Sequence, residues 1–155
     1  MRMDQMLKIE FLNENLLSNT KADVLAELIS VLMNSGLKID KVKAIDVLQH
    51  REKLGSTGIG DGVAIPHGKV TDIHEIVVAF GRSSQGIDFD AIDGKPVHLF
   101  FLLLAPESST GQHLKALAKI SKMLKTPHFR KKLMDMKSTN DLYKAIVDQD
   151  ESSSV

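Results

Sequence analysis

Residues 97–104, VHLFFLLL, form a continuous apolar run interrupted only by His98, and this stretch decides the fold class. A second run, IVVAF at residues 76–80, has the same character. Both runs are much shorter than a membrane-spanning helix requires. Short, unbroken apolar runs are typical of strands covered on both faces, so we predict two buried strands. Between them, Gly86 and Asp93-Gly94 predict turns.

Helical patterns lie on both sides of the predicted strands. Thr20 followed by Asp23 predicts a helix N-terminus, and the apolar residues after it recur at helical spacing until Gly36 predicts the end. A second helix is predicted to begin at Asp40 and to end by Gly55. The apolar residues expected on one face of this helix are Val42, Ile45 and Leu48.

Three further helices are predicted after the strands: over residues 110–125, from Thr126-Pro127, and from Ser138. Helices, then strands, then helices predict an α/β fold, in which a single mixed β-sheet is covered by helices on both faces. We expect one domain over residues 1–148. The polar and acidic residues 149–155 predict a disordered tail.

The composition narrows the classes of function. A length of 155 residues fits one domain. The chain has no cysteine, which excludes disulfides, thiolate metal sites and cysteine nucleophiles. Lys and Arg number 20 and Asp and Glu also number 20, so charge gives no support to nucleic-acid binding. An acid at Asp4 lies where a signal peptide would be apolar, so we expect a cytoplasmic protein with no direct membrane insertion.

The glycine-rich stretch GSTGIGDGVAIPHGK at residues 55–69 is the candidate site. Its glycines let the backbone adopt positive φ and come close to a ligand, and successive amides in such a loop can bind an anion. The stretch is not a P-loop, since no Lys-Ser or Lys-Thr pair follows the glycines. It is not a dinucleotide-binding fingerprint either, since G-x-G-x-G runs into an apolar segment. By itself it is more typical of a bent connection.

His67 gives this stretch a chemical interpretation. Pro66 fixes its own φ and favours an extended residue before it, so His67 has a stiff support. An imidazole beside glycines and the hydroxyl groups of Ser56 and Thr57 is suited to accepting a phosphoryl group on a neutral ring nitrogen. From the residues alone, a metal ligand and a structural histidine remain alternatives.

The other histidines have simpler interpretations. His50, His74 and His128 lie in charged or polar contexts and are expected at the surface. His98 lies in a predicted strand and is expected to be a core or rim residue with a satisfied hydrogen bond. No two histidines are four residues apart, so the simplest helical zinc pair is absent. We expect no metal site and no cofactor.

The segment REKLGSTGIG at residues 51–60, running into GVAIPH at residues 62–67, resembles the signature of a known family. The family comprises the enzyme IIA domains of the mannitol/fructose class of the phosphoenolpyruvate-dependent phosphotransferase system. The resemblance extends to FDAID at residues 89–93, to the second predicted strand and to His113, and covers residues 7–148. Within this family, the sequence REKLGSTGIG…AIPHGK most resembles that of the nitrogen-type branch, which is regulatory.

The resemblance implies that His67 is phosphorylated by a phosphohistidine on an HPr-type carrier protein. It matches His113 to the family's second histidine and Arg51 to an arginine near the site, and both would support the phosphoryl group electrostatically. His113 is expected just inside the start of a helix, where its charge state stays open. The family often has Asn at position 61, and Asp61 is expected to point outward. The residues expected to form a phosphate cradle are Ser56, Thr57, Gly58 and Gly60.

The implied function is that of a phosphohistidine phosphocarrier with a regulatory role of the nitrogen or potassium type, acting on a downstream regulatory target. One alternative is a sugar-specific enzyme IIA that passes the phosphoryl group to a IIB domain for fructose or mannitol uptake. A remoter alternative is a non-catalytic binding module that uses the loop only for docking. A carrier protein needs an apolar docking patch, which we expect at Ile59, Val63 and Ile65.

Overall fold

A mixed sheet of six strands forms the centre of the structure, a computed structural model that describes residues 1–153. Its two long strands, β5 and β6, are antiparallel neighbours, and β1 extends the sheet in parallel beside β5. On the other side of β6, both β3 and β4 pair with it in parallel, and β2 is antiparallel to β3. The strands are β1 (Leu12–Asn13), β2 (Gly58–Gly60), β3 (Val63–Ala64), β4 (His67–Val70), β5 (Val77–Ile87) and β6 (Val97–Pro106).

Within residues 1–153, six helices and a short 3-10 turn at Ile9–Phe11 accompany the sheet. The helices are α1 (Met3–Met6), α2 (Lys21–Asn34), α3 (Lys41–Lys53), α4 (Gln112–Leu124), α5 (Pro127–Asp135) and α6 (Thr139–Ser153). They form two groups: α2 and α3 pack on each other and against β5 and β4, whereas α4, α5 and α6 pack together and α4 and α5 contact β6. The predicted α/β fold, a mixed sheet covered by helices, is confirmed.

The two predicted strands are present and are longer than predicted. β5 begins at Val77 and continues to Ile87, and β6 continues to Pro106. Every residue of β6 is buried except the half-buried His98, as expected for a strand covered on both faces. Phe80 and Phe101 are opposite each other in the β5–β6 register and meet edge to face, with ring centres 5.0 Å apart.

Local signals at three helix starts are also confirmed. The Oγ1 of Thr20 accepts a hydrogen bond of 3.1 Å from the backbone N–H of Asp23. Asp40 accepts a hydrogen bond of 3.1 Å from the N–H of Lys43, and the hydroxyl of Ser138 accepts one of 3.0 Å from the N–H of Asp141. Each side chain thus satisfies an N–H group that has no partner inside its helix.

Three predictions need correction. The buried line of α3 consists of Ala44, Leu48 and Glu52, whereas Val42 is 77% exposed, so the predicted face was wrong at Val42. The glycine-rich stretch is not only a connection, because it contains the three short strands β2, β3 and β4. α6 continues through Ser153, so a disordered tail is wrong for residues 149–153, and residues 154–155 lie outside the described part.

Over residues 1–153, no helix combines the length and the apolar character that crossing a membrane would require.

Candidate active site

His67 is the first residue of β4, where it lies opposite Leu103 of β6. Its Nδ1 is 2.8 Å from the backbone carbonyl oxygen of Ile65. A carbonyl oxygen can only accept a hydrogen bond, so Nδ1 carries the ring proton. Its Nε2 accepts a hydrogen bond of 3.3 Å from Nε of Arg51. The structure therefore presents a neutral imidazole whose unprotonated nitrogen is Nε2.

The surroundings of His67 favour the neutral ring. Partial burial lowers the pKa of its imidazole below the ordinary value of 6.5, because desolvation disfavours the charged form. The positive charges of Arg51 and His113 lower this pKa further. The hydrogen bond to Ile65 and the carboxylate of Glu52 act in the opposite direction, and the net shift is downward. At neutral pH the ring thus keeps a lone pair available on Nε2.

Arg51 reaches His67 from the last turn of α3. Its Nη1 donates a hydrogen bond of 2.8 Å to the carbonyl oxygen of Gly55, which fixes the guanidinium group at the end of the helix. α3 can lie this close to β4 because residue 68 is glycine: a Cβ at that position would overlap Cγ1 of Val47. Gly68 therefore sets the distance between the helix that carries Arg51 and the strand that carries His67.

His113 lies at the second position of α4, as the sequence predicted. Its backbone N–H donates a hydrogen bond of 3.3 Å to Oγ of Ser109, and its Nδ1 is 3.4 Å from the same oxygen. Its charge acts on the pKa of His67, so the two imidazoles are electrostatic neighbours. The first turn of a helix also presents free N–H groups, which favours a negative charge beside His113.

A cavity of about 300 Å³ opens beside His67. It brings together the predicted residues Arg51, His67, Ser56 and Thr57. The other residues that line it are Ile59, Ile65, Leu117, Ala118 and Ser121. A larger cavity, of about 700 Å³, lies between α1 and the start of α4, but it does not contain His67. The smaller cavity is the candidate site, because it contains His67 together with Arg51, which donates a hydrogen bond to Nε2 of His67.

The donors predicted for the phosphate cradle have partners inside the free protein. The N–H of Thr57 donates to Oε1 of Glu52 at 3.1 Å, and the Thr57 hydroxyl donates to Oε2 of the same carboxylate. The hydroxyl of Ser56 donates to the carbonyl oxygen of Phe89 at 2.6 Å and accepts a hydrogen bond of 3.0 Å from the N–H of Gly58. In the free protein these donors hold the loop in shape, and the phosphate cradle stays a prediction.

Gly60 also has a structural role. It has φ of 95° and lies at the end of β2, directly before a tight turn to β3. The two turn residues, Asp61 and Gly62, have φ values of 57° and 77°, as in the mirror-image turns that suit two-residue hairpins. Asp61 is exposed, as predicted, and its N–H donates to the carboxylate of Asp93 at 3.1 Å. Among residues with a side chain, Asn and Asp are those that best tolerate such a φ.

Glu52 is a buried residue of the site that the sequence analysis missed. Besides Thr57, its carboxylate pairs with Nζ of Lys21 at 3.1 Å, and Nζ of Lys21 lies 4.8 Å from the centre of the Phe89 ring. In the sequence Glu52 lies between Arg51 and Lys53 near a helix end, a pattern typical of solvated charges. Glu52 lies four residues after the buried Leu48, and this helical spacing is the feature of the sequence that could have predicted its burial.

The predicted docking patch is only partly exposed. Val63 and Ile65 are buried, whereas Ile59 is 46% exposed. A different apolar residue, Leu114 of α4, is 61% exposed beside His113. The exposed apolar surface near the site therefore comes from β2 and α4 rather than from β3.

The remaining histidines have the predicted environments. His50, His74 and His128 are exposed. His98 is half-buried at the rim of the sheet, and its Nδ1 donates a hydrogen bond of 2.8 Å to the carbonyl oxygen of Ser83. In the described part of the chain, no three His, Asp or Glu residues are grouped as a metal site would require.

Comparison with known proteins gives the following similarities. The sequence profile of the family described as "Phosphoenolpyruvate-dependent sugar phosphotransferase system, EIIA 2" matches residues 5–149. A nitrogen regulatory protein of Pseudomonas aeruginosa is 35% identical over 147 residues, covering 95% of this chain and 96% of that protein. The crystal structure of nitrogen regulatory protein IIA-Ntr from Neisseria meningitidis has a TM-score of 0.85 and 34% identity, and covers 92% of this chain and 97% of that chain.

A sugar-specific relative is similar to the same degree. The fructose-specific EIIABC component of Bacillus subtilis is 35% identical over 148 residues, which are 96% of this chain. This chain spans only 23% of the length of that protein.

Proposed function

The chain belongs to the EIIA 2 family of the phosphoenolpyruvate-dependent sugar phosphotransferase system, and on this premise we propose that His67 accepts a phosphoryl group from a phosphohistidine of an HPr-type carrier protein. The observation that carries the proposal is the hydrogen bond of 2.8 Å from Nδ1 of His67 to the carbonyl oxygen of Ile65. It holds the ring proton on Nδ1 and leaves Nε2 as the nucleophile that phosphoryl transfer needs.

The transfer balances in atoms and electrons. The lone pair of His67 Nε2 forms a bond to phosphorus, and the bond between phosphorus and the donor's ring nitrogen breaks, leaving its electron pair on the donor imidazole. Nδ1 keeps its proton and its hydrogen bond to Ile65, so the carbonyl dipole stabilises the positive charge that develops on the ring. Donor and acceptor are both phosphoramidates, so the transfer is close to balanced in energy and reversible.

Arg51 supports this reaction in two ways. In the free protein its Nε–H is directed at Nε2 of His67 from 3.3 Å, so the guanidinium group already lies where phosphoryl oxygens will arrive. Its planar fork of donors matches phosphate oxygens, which accumulate charge during transfer. When the phosphoryl group bonds to Nε2, Arg51 exchanges its hydrogen bond to the nitrogen for hydrogen bonds to these oxygens.

The carrier protein docks on the apolar rim of the cavity. Ile59 and Leu114 are both large, exposed apolar residues, and the half-buried Leu117 lines the cavity itself. A docked partner that covers these residues excludes water from the reacting nitrogen and brings its phosphohistidine into line with Nε2.

We assign the protein a regulatory role, in which its phosphorylated and free forms act on a downstream regulatory target. The nitrogen regulatory protein of Pseudomonas aeruginosa matches this chain over nearly the whole length of both proteins, which supports the regulatory branch. The alternative is a sugar-specific enzyme IIA, which the similarity to a fructose-specific component favours. The two are separated by incubating the phosphorylated protein with a fructose-type or mannitol-type IIB domain. Transfer to IIB supports the sugar branch, and retention of the phosphoryl group supports the regulatory branch.

Intact-mass spectrometry tests the phosphorylation. The protein is incubated with phosphoenolpyruvate, enzyme I and an HPr-type carrier, and the wild type is compared with His67→Ala. We expect one added phosphoryl group that is labile to acid, stable to alkali and missing in His67→Ala. His128→Ala, which removes an exposed histidine, is the matched control and is expected to label like the wild type. Absence of labelling in the wild type, or labelling of His67→Ala, contradicts the proposal.

A further inference from the structure

Lys69 lies on the same face of β4 as His67. Side chains alternate between the two faces of a strand, and the intervening Gly68 faces Val47 of α3. His67 and Lys69 are therefore directed away from this contact with α3. Nζ of Lys69 donates a hydrogen bond of 3.0 Å to the backbone carbonyl oxygen of Ser109, in the loop that leads into α4.

The ammonium group of Lys69 has a neutral partner. Among residues 1–153 it forms no ion pair with a carboxylate, and its hydrogen bond ends on a carbonyl oxygen near the protein surface. A nearby dianion adds a direct Coulomb attraction to the ammonium group that a neutral carbonyl oxygen lacks, so it competes well with this carbonyl oxygen.

Phosphorylation of His67 creates such a dianion. A phosphoryl group carries a charge of about −1.5 to −2 at neutral pH. Arg51 supplies one positive charge, and the donors of Ser56 and Thr57 are already bound within the protein. Arg51 by itself does not neutralise a dianion; besides His113, which acts electrostatically on His67, Lys69 is a cation on the same face of β4.

From these observations we infer that Lys69 is a further cation of the phosphorylated site, beside Arg51 and His113, and that it leaves the carbonyl group of Ser109 to bind the phosphoryl group on His67. The inference rests on the proposed phosphorylation of His67. It gives Lys69 two alternative partners, one in each state of the protein.

The exchange alters the surface of the loop before α4. Ser109 also accepts the hydrogen bond from the N–H of His113, so it connects Lys69 to the helix start. Ser108, Ser109 and Gln112 line the larger cavity between α1 and α4. Loss of the Lys69 hydrogen bond frees the Ser109 carbonyl group at this cavity, so the free and phosphorylated forms differ there without any large movement of the fold.

Phosphorus NMR tests the contact with the phosphoryl group. The protein is phosphorylated through the carrier, and the second pKa of the phosphoryl group is measured by titration for the wild type, Lys69→Met, Lys69→Arg and Lys43→Met. Loss of a neighbouring cation raises this pKa, and we expect an increase of roughly half to one pH unit in Lys69→Met. Lys69→Arg keeps the charge and is expected to stay near the wild type. Lys43→Met removes an exposed lysine at the far end of α3 and is expected to have no effect.

Arg51, Glu52 and His113 are charged or titratable groups that shift the pKa of His67, and all of them are the same in these variants. A difference between Lys69→Met and the wild type therefore reports Lys69 itself. Unchanged titration in Lys69→Met overturns the inference while leaving the phosphorylation of His67 in place.

The carbonyl carbon shift of Ser109 tests the exchange independently of transfer activity. In the wild type, phosphorylation is expected to move this signal. In unphosphorylated Lys69→Met the signal is expected to have moved already, because the hydrogen bond is missing. A Ser109 signal that is the same before and after phosphorylation of the wild type overturns the inference, even if the variant itself accepts no phosphoryl group.

Discussion

At the scale of single residues, the two nitrogens of His67 have different partners, and this difference defines the chemistry. Nδ1 donates to a backbone carbonyl oxygen at 2.8 Å, which is fixed in the fold and cannot change its role. Nε2 accepts from a side chain, Arg51, whose Nε–H has no other role within residues 1–153 and can bind a phosphoryl oxygen instead. The backbone thus selects the tautomer, and the side chain responds to the reaction.

The contact with Arg51 predicts how the reaction depends on pH. Protonation of Nε2 removes the attacking lone pair, so the rate of phosphoryl transfer falls as the pH falls through the pKa of His67. Burial lowers this pKa and the charge of Arg51 lowers it further. The wild type is therefore expected to keep its transfer rate at pH values below the range in which an ordinary histidine becomes protonated. In Arg51→Ala we expect the pKa to rise and the rate at neutral pH to fall about 100-fold, as for loss of one donor to a developing charge. Nitrogen NMR of the His67 ring and initial rates of transfer measure the two effects.

Arg51→Lys separates charge from geometry in the same experiment. It keeps the positive charge, so the pKa of His67 stays near the wild-type value, but it lacks the planar fork, so the rate is expected to lie between the wild type and Arg51→Ala. Equal rates for all three proteins would remove Arg51 from the mechanism.

Substitution of Glu52 is predicted to change both the stability of the protein and the pKa of His67. In Glu52→Gln the carboxylate loses its charge, so Lys21 loses its ion pair with Glu52 and keeps the longer contact of 3.6 Å with Asp90, while Thr57 loses a charged acceptor. We expect the free energy of unfolding to fall by about 1–3 kcal/mol in urea denaturation, since a half-buried cation and buried donors are left poorly paired. The carboxylate raises the pKa of His67, so this pKa is expected to fall further in Glu52→Gln.

The exposed Glu75→Gln is the matched control for Glu52→Gln. Both variants remove one negative charge, but Glu75→Gln is expected to change neither stability nor the His67 titration. If the two variants behave alike, Glu52 acts only through the net charge of the protein.

At the scale of elements, the close packing of α3 on β4 sets the distance between Arg51 and His67. Gly68 has no side chain, and Val47 of α3 occupies the space where a Cβ would lie. Gly68→Ala therefore forces α3 away from the strand or strains the contact. We expect a loss of about 1–3 kcal/mol in the free energy of unfolding, as for other overpacked interiors. We also expect slower phosphoryl transfer, because Arg51 moves with the helix.

A second substitution tests this explanation. Val47→Ala removes the methyl groups that a Cβ at residue 68 would meet. The double variant Val47→Ala/Gly68→Ala is therefore expected to recover transfer activity compared with Gly68→Ala, with the same denaturation and rate measurements. If Gly68→Ala is as stable and active as the wild type, the approach of α3 does not depend on this glycine.

Elements differ in how well the sequence predicted them. The strands β5 and β6 are long and continuously apolar, so their own residues identify them. The strands β2, β3 and β4 are 3, 2 and 4 residues long, and they exist because β6 offers an edge on which β3 and β4 pair in parallel. That edge depends on the tertiary fold, so the glycine-rich stretch by itself indicated only a bent connection.

In the site, too, some features follow from the local sequence and others depend on the tertiary fold. The family signature predicted His67 and Arg51 as site residues, and the structure shows the hydrogen bond between their side chains. The tautomer of His67 depends on the carbonyl group of Ile65, and the buried position of Glu52 depends on α3 packing beside the loop. In the free protein the hydroxyl of Ser56 donates to Phe89 and that of Thr57 donates to Glu52, and the sequence by itself does not indicate these partners.

At the scale of the whole molecule, the C-terminal helix connects the start of the chain to the helix that carries His113. Asp150 of α6 is buried, and its carboxylate accepts a hydrogen bond of 2.8 Å from the backbone N–H of Met3. The same carboxylate pairs with Nζ of Lys119 at 2.6 Å, in α4. One side chain thus holds α1, α4 and α6 together, in a segment whose composition predicted a disordered tail.

This arrangement predicts that Asp150 contributes to stability and, through α4, to the site. In Asp150→Asn the ion pair with Lys119 loses one charge while Lys119 stays partly buried, so we expect the free energy of unfolding to fall by about 1–3 kcal/mol in urea denaturation. Faster amide exchange at the N–H of Met3 is expected too, since its acceptor is weakened. Asp148→Asn, two residues earlier in the same helix and exposed, removes the same charge and is expected to have almost no effect. If the two variants are equally stable, the end of α6 is not anchored as the structure describes, and His113 is held by the loop before α4 alone.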